Sequence, residues 1–161
     1  MMLASPNSSL VVDAGVALVV VLPHPYREHG KRFWERWAAT PRPLLAPHLW
    51  VAEVTSGLRR AVWEGILTPT EAEQALTHLL RLPMSFVPDV QLALGALTWA
   101  GRLQQKRAYD AFYLALAEAR GAEFWSADAR LVRALRQQGH AWAHWIGDIG
   151  KSEEEPTPPP S

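Results

Sequence analysis

Residues 107–135 read RAYDAFYLALAEARGAEFWSADARLVRAL, and the order of elements inside this stretch decides the fold class. Asp110 stands at the head of an apolar helix, and Gly121 supplies the stop. EFWSA then reads as a short strand, and Asp128 ends that strand and opens a further helix. Helix, tight turn, strand and helix thus carry two carboxylates to two element ends. An aspartate can begin a helix simply as a cap, so Asp110 alone does not distinguish a structural role from a chemical one.

Toward the N-terminus, Asp89 is well placed to cap a helix running through Leu103, with Ser85–Val87 as a strand before it. Thr68 followed three residues later by Glu71 has the capping-box pattern and starts another helix, which ends before Pro83. Pro47 introduces a helix to about Trp63, after a brief candidate strand at Leu44–Ala46. Glu53 falls inside the apolar register of that helix, where a carboxylate is costly without a partner. An arginine such as Arg60 is one such partner. Further back, Pro25 can open a helix whose Phe33, Trp34 and Trp37 share one face, suited to core packing or to a partner surface. Residues 14–22 are compatible with helix or strand, and a helix starting just after Asp13 is the preferred reading. Leu10–Asp13 is a short buried strand. Toward the C-terminus, Gly139 stops the last helix and Trp142–Ile146 forms the final strand.

This alternation of short apolar strands with helices predicts an α/β domain, three layers deep, with a mostly parallel sheet covered by helices on both faces. Residues 1–9 read as a loose leader, 10–149 as the folded domain and 150–161 as a disordered, acidic, proline-rich tail. The longest apolar run, VVDAGVALVVVL, contains Asp13, is too short to span a bilayer and lacks a basic start, so a cytoplasmic protein with no membrane association is expected. There is no cysteine, which excludes disulfides, thiolate zinc sites and cysteine nucleophiles. Net charge is zero, yet 13 of the 16 basic residues are arginine, a side chain suited to bidentate phosphate contacts.

Ligands of parallel sheets bind beyond the carboxyl ends of the strands. Asp13 and Asp128 both sit at strand ends, Asp110 begins a helix, and Glu53 lies in a helix whose preceding strand ends at the same edge. Carboxylates gathered there raise each other's pKa, and a divalent cation relieves the conflict. An all-oxygen set without cysteine or clustered histidine suits Mg²⁺ or Mn²⁺ rather than zinc. His140 and His144 have metal-pair spacing only on a helix, whereas HAWAHWI reads as a strand, so all six histidines are taken as structural or surface residues. Glycine-rich phosphate loops and a GxSxG elbow are both missing, and Asp13-Ala14-Gly15 lacks the second acid of a phosphoaspartate enzyme.

VVDAGVAL, WVAEVTSGLRR and YDAFYLALAEARGAEFWSADARL together resemble the successive acidic motifs of the PIN-domain family, and within it the VapC-type toxic ribonucleases. The similarity covers Leu10 to Gly147, and its most specific part is YDAFYLALAE followed by the SAD turn. It implies Asp13, Glu53, Asp110 and Asp128 as the acidic quartet and metal ligands, with Ser126 as the hydroxyl near them. Gly15 departs from the serine or threonine common in the family, while leaving the carboxylates intact. The resemblance further implies a Mg²⁺- or Mn²⁺-dependent endoribonuclease, an RNA substrate, a VapB-like antitoxin and a homodimer. Lys106, Arg107 and Arg130, which flank the acids, are candidate phosphate contacts. A nuclease of this family outside any toxin pair, and a non-catalytic module that binds nucleic acid or protein, are the alternatives.

Overall fold

A computed structural model describes residues 8–150. The elements run β1 (Leu10–Val12), α1 (Ala14–Val21), α2 (Arg27–Ala39), β2 (Leu44–Pro47), α3 (Leu49–Trp63), α4 (Pro69–Leu79), β3 (Met84–Val87), α5 (Asp89–Arg102), α6 (Tyr109–Arg120), β4 (Glu123–Ser126), α7 (Ala129–Gln137), β5 (Ala143–Trp145) and a 3₁₀ turn at Ile146–Asp148. The strands form one sheet in the order β3-β2-β1-β4-β5, and every pair is parallel. Parallel neighbours need long crossovers, which the helices provide. The α/β/α layering expected from the alternation is therefore present, with a fully rather than mostly parallel sheet among the described residues.

Strand residues are apolar without a break because both faces are covered. On β1, Val11 joins one core cluster with Trp50, Trp99, Leu114 and Phe124, while Leu10 and Val12 join another with Phe33, Leu44 and Ile146. Alternation of side chains across the pleat sends neighbours to opposite layers. Phe33 is buried, and the Trp34 and Trp37 indoles donate to Val16 O at 3.0 Å and Arg42 O at 2.8 Å. This α2 face is thus chiefly core.

Several boundaries differ from the local reading. The second helix starts at Arg27, because Pro25 and Tyr26 belong to a turn in which Tyr26 N donates to His24 Nδ1 at 3.1 Å. Pro47 closes β2, in register with Val87, and His48 precedes α3. A proline at a strand end loses no ladder bond that its neighbours need. The final strand is shortened to Ala143–Trp145, since Ile146 turns into the 3₁₀ segment. The capping box of α4 has both reciprocal bonds, and Gly121 takes the left-handed conformation (φ +56°) that stops α6.

At the sheet edge where the strands begin, Arg42 binds Glu123 at 2.7 Å and the Ser8 carbonyl at 2.8 Å, and Glu123 N donates to Ser9 O at 3.2 Å. The expectations for residues 1–7 and for the tail from 151 onward lie outside the described residues.

Asp89 is the most informative correction. It makes no cap bond to its own helix; its Oδ1 accepts from Leu49 N at 3.1 Å and so caps α3 from across the fold. Because β2 and β3 are adjacent, the starts of α3 and α5 are neighbours, and His48 offers α3 no side-chain cap. We expect Asp89→Ala to cost about 1 kcal/mol in urea denaturation and Asp89→Asn markedly less, since the amide oxygen can still accept. Equal losses would show that the cap is not the source.

Candidate active site

Four acids reach the edge where the strands end. Asp13 follows β1 directly and caps α1, its Oδ1 accepting from Val16 N at 3.1 Å. Asp128 follows β4 and caps α7, accepting from Arg130 N at 3.0 Å and Leu131 N at 3.2 Å. Asp110 is the second residue of α6, whose cap position is Ala108, and it makes no capping bond. Of Asp110 and Asp128, only Asp128 is a helix cap. Glu53 projects from the second turn of α3 and is half-buried.

The wholly buried hydroxyl of Ser126 joins two of these acids. It donates to Asp13 Oδ2 and accepts from Asp128 N at 2.9 Å. The resemblance implied a hydroxyl at Ser126 near the acids; its partners in the structure are Asp13 and the Asp128 backbone. A residue that sequence reading passed over is Tyr113. The Tyr113 hydroxyl donates to Glu53 Oε1 at 2.6 Å, which is the partner that Glu53 needed. Arg60 does not serve, because it pairs with Glu64 at 3.1 Å. Tyr113 sits three residues past Asp110, one helical turn along α6, and that spacing was the available signal.

Electrostatics ties the four together. Burial raises Asp13 to about 7, with the Asp110 charge adding to the rise, while the bonds from Ser126 and Val16 pull the other way. Burial also raises Glu53, with repulsion from Asp110 and Asp89 in the same direction. Asp110 is raised by the protein packed around it and by Asp128, although it stands exposed at the lip of the site. Burial and the Glu53 charge push the Tyr113 phenol far above its ordinary range, so it remains a donor at physiological pH.

None of the four acids forms an ion pair with a basic side chain among the described residues. Repelling carboxylates with no basic partner form a donor set whose chemistry fits a hard divalent cation. Their spacing is open, however: among the described residues no three acids or histidines stand close enough to close around an ion. Lys106 and Arg107 lie exposed in the loop before α6, and Arg130 is exposed on the first turn of α7. His140 packs against Trp99 and Trp142, and His144 stacks on Trp125, in keeping with structural roles.

The raised Asp13 has a stability consequence whose sign is fixed. Between its ordinary 3.8 and about 7, the folded chain holds a proton that the unfolded chain has released. Stability without metal therefore falls as pH rises through that window and levels off above it. His144, lowered by burial, works in the opposite sense, losing stability as pH falls below its ordinary value. The informative quantity is thus the difference between wild type and Asp13→Asn. Thermal and urea denaturation in EDTA should show the wild type losing on the order of 3 kcal/mol relative to Asp13→Asn from pH 5 to pH 7. A difference independent of pH would contradict the assignment.

Comparison with known proteins identifies the family. The family model of the PIN domain matches residues 10–136. Ribonuclease VapC9 of Mycobacterium tuberculosis is 35% identical over 122 residues, which cover 76% of this chain and 87% of that protein. Among solved structures, M. tuberculosis VapC20, a sarcin-ricin loop cleaving toxin, matches with a TM-score of 0.60 at 18% identity, covering 78% of this chain and 94% of that one. VapBC2 from Rickettsia felis, bound to a DNA fragment from its promoter, matches with a TM-score of 0.56 at 11% identity, covering 85% and 96%. The last two similarities concern the fold alone. On the family match and the 35% identity, the chain belongs to the PIN-domain family, in its VapC-type branch.

Proposed function

We propose that this chain is a Mg²⁺- or Mn²⁺-dependent endoribonuclease, the cytoplasmic toxin of a toxin–antitoxin pair. The observation that carries the reading is the arrival of four acids from four separate elements at one sheet edge, where Asp13, Glu53 and Asp128 have neutral donors rather than basic side chains for partners. The ribonuclease relative and the VapBC neighbour support an RNA substrate and a VapB-like antitoxin. No described helix is long and apolar enough to cross a membrane.

Asp13, Asp110 and Asp128 would hold the metal, directly or through water, and the open spacing of the acids suits ligation partly through water. Glu53 would ligate or orient the attacking water. The bound ion supplies a lowered pKa for water and neutralises charge that develops on the phosphate. Ser126 fixes the Asp13 carboxylate against the end of β4, so the acid keeps its place whether or not it carries its proton. Lys106, Arg107 and Arg130 would hold phosphates on either side of the cut bond, at a lip where Asp110 and Asp128 are exposed. Such an open edge suits a polymer more than a small enclosed substrate.

Purified protein should cleave structured RNA with Mg²⁺ or Mn²⁺ and lose that activity in EDTA. Asp13→Asn and Asp128→Asn should each lower the rate at least a hundredfold while circular dichroism shows the fold retained; cleavage at the wild-type rate by either variant would sink the assignment.

A homodimer through α5 also belongs to this reading. Val90, Leu94 and Leu97 form a stripe along that helix and are 83%, 83% and 69% exposed. Between Asp89 and Arg102 the helix carries no charge, so two copies packed antiparallel about a two-fold axis would set each acidic start beside a basic end. Leu94→Glu should shift the sedimenting species from dimer to monomer. A wild type that sediments as a monomer at tens of micromolar would count against this face.

A further inference from the structure

Tyr113 lies in the interior of α6 with 1% of its surface exposed, packed near the equally buried Phe124 ring at 6.5 Å. A buried phenol requires a hydrogen-bond acceptor. The one it meets is a carboxylate from a different helix, sixty residues away in the chain, at 2.6 Å. Glu53 makes no ion pair among the described residues, and its second oxygen has no hydrogen-bond partner there.

The kind of donor matters. A guanidinium against Glu53 would fix its geometry and also cancel its charge. A phenol fixes one oxygen and leaves the negative charge and the other oxygen uncommitted. The contact is a charge-assisted bond that bridges α3 and α6, and it tethers one Glu53 oxygen to the buried Tyr113. Asp110 occupies the same helix one turn earlier, and α6 therefore sets the separation of Asp110 and Glu53 through a single rigid element.

We propose that Tyr113 is a positioning residue of the acidic site, its hydroxyl holding Glu53 in place for a divalent cation or for the water beside it. The inference rests on the four acids acting as one metal site, as in the function proposed above. Loss of a group that orients a metal ligand weakens affinity by about 10–100-fold in general. Tyr113→Phe deletes one oxygen and keeps the ring, so the core stays filled.

The test combines Mn²⁺ calorimetry in the absence of RNA with steady-state cleavage. Tyr113→Phe should weaken Mn²⁺ binding about tenfold and lower kcat, with KM for RNA unchanged. Added to Glu53→Gln, it should cause little further loss, because the two residues act through one bond. Unchanged Mn²⁺ affinity and kcat in Tyr113→Phe, or losses that multiply fully with those of Glu53→Gln, would overturn the positioning role and leave the nuclease reading standing. A wild type that neither binds Mn²⁺ nor cleaves RNA would overturn both. If Tyr113→Phe does not fold, Glu53→Asp gives the same answer, since it keeps the charge and draws the carboxylate back from the phenol by one methylene. Wild-type affinity in Glu53→Asp would then refute the proposal.

Discussion

The hydrogen bond from the buried Ser126 hydroxyl to Asp13 is the contact around which the site is arranged. It exists because β1 and β4 are neighbours in the sheet, with Val12 opposite Trp125 and the ladder extended one step by Asp13 N donating to Trp125 O at 3.1 Å. One residue further on, the register sets Asp13 opposite Ser126. The chain leaves β1 toward β2 on one side and leaves β4 toward β5 on the other. Parting connections of this kind open a crevice at the strand ends, and the acids occupy that crevice. A slip of one residue between β1 and β4 would invert the faces of Leu10, Val11 and Val12 and also separate the hydroxyl from the acid. The core and the site are therefore specified by the same register.

Much of this was legible locally. Asp13 and Asp128 could be read as strand-end acids because short apolar runs ending in a capping residue leave a clear mark. Gly121 and the Thr68–Glu71 box were equally local. What escaped notice depends on neighbours in space. Tyr113 looks like any aromatic in the apolar register of α6, and only the fold brings its hydroxyl to Glu53, sixty residues away in the chain. Asp89 looks like the cap of its own helix, yet adjacency of β2 and β3 gives its carboxylate to Leu49 N. Arg60 was a reasonable partner for Glu53 by sequence, but Glu64 is its nearer helical neighbour and takes the ion pair. The placement of β1 at the centre of the sheet is likewise a property of crossovers, which no single segment encodes.

The partners of the acids share a character. Asp13 is held by a hydroxyl and a backbone N–H, Glu53 by a phenol, and Asp128 by backbone N–H groups at the start of α7. All are neutral donors, which orient a carboxylate without cancelling its charge. The cost is that burial raises Asp13, Glu53 and Asp110 above the ordinary carboxylate range, and repulsion among the acids adds to the rise. The cations nearest in sequence, Lys106, Arg107 and Arg130, are exposed and pair with none of these acids; in the function proposed above they would meet phosphates. The division of charge thus separates residues that would hold a cation from residues that would hold an anionic polymer.

Gly15 is explained by the same arrangement. A Cβ built there would stand 3.0 Å from the Ala127 Cβ and 3.2 Å from Asp13 Oδ1, so a larger side chain needs α1 and the β4–α7 turn to give way. Both Asp13 oxygens already have donors, one from Val16 N and one from Ser126. Each Asp13 oxygen is thus already oriented without the hydroxyl that the family often places two residues after its first aspartate. The hydroxyl that orients Asp13 in this chain is that of Ser126 on β4, and the contact a Cβ at Gly15 would make with Ala127 shows how closely the β4–α7 turn approaches α1.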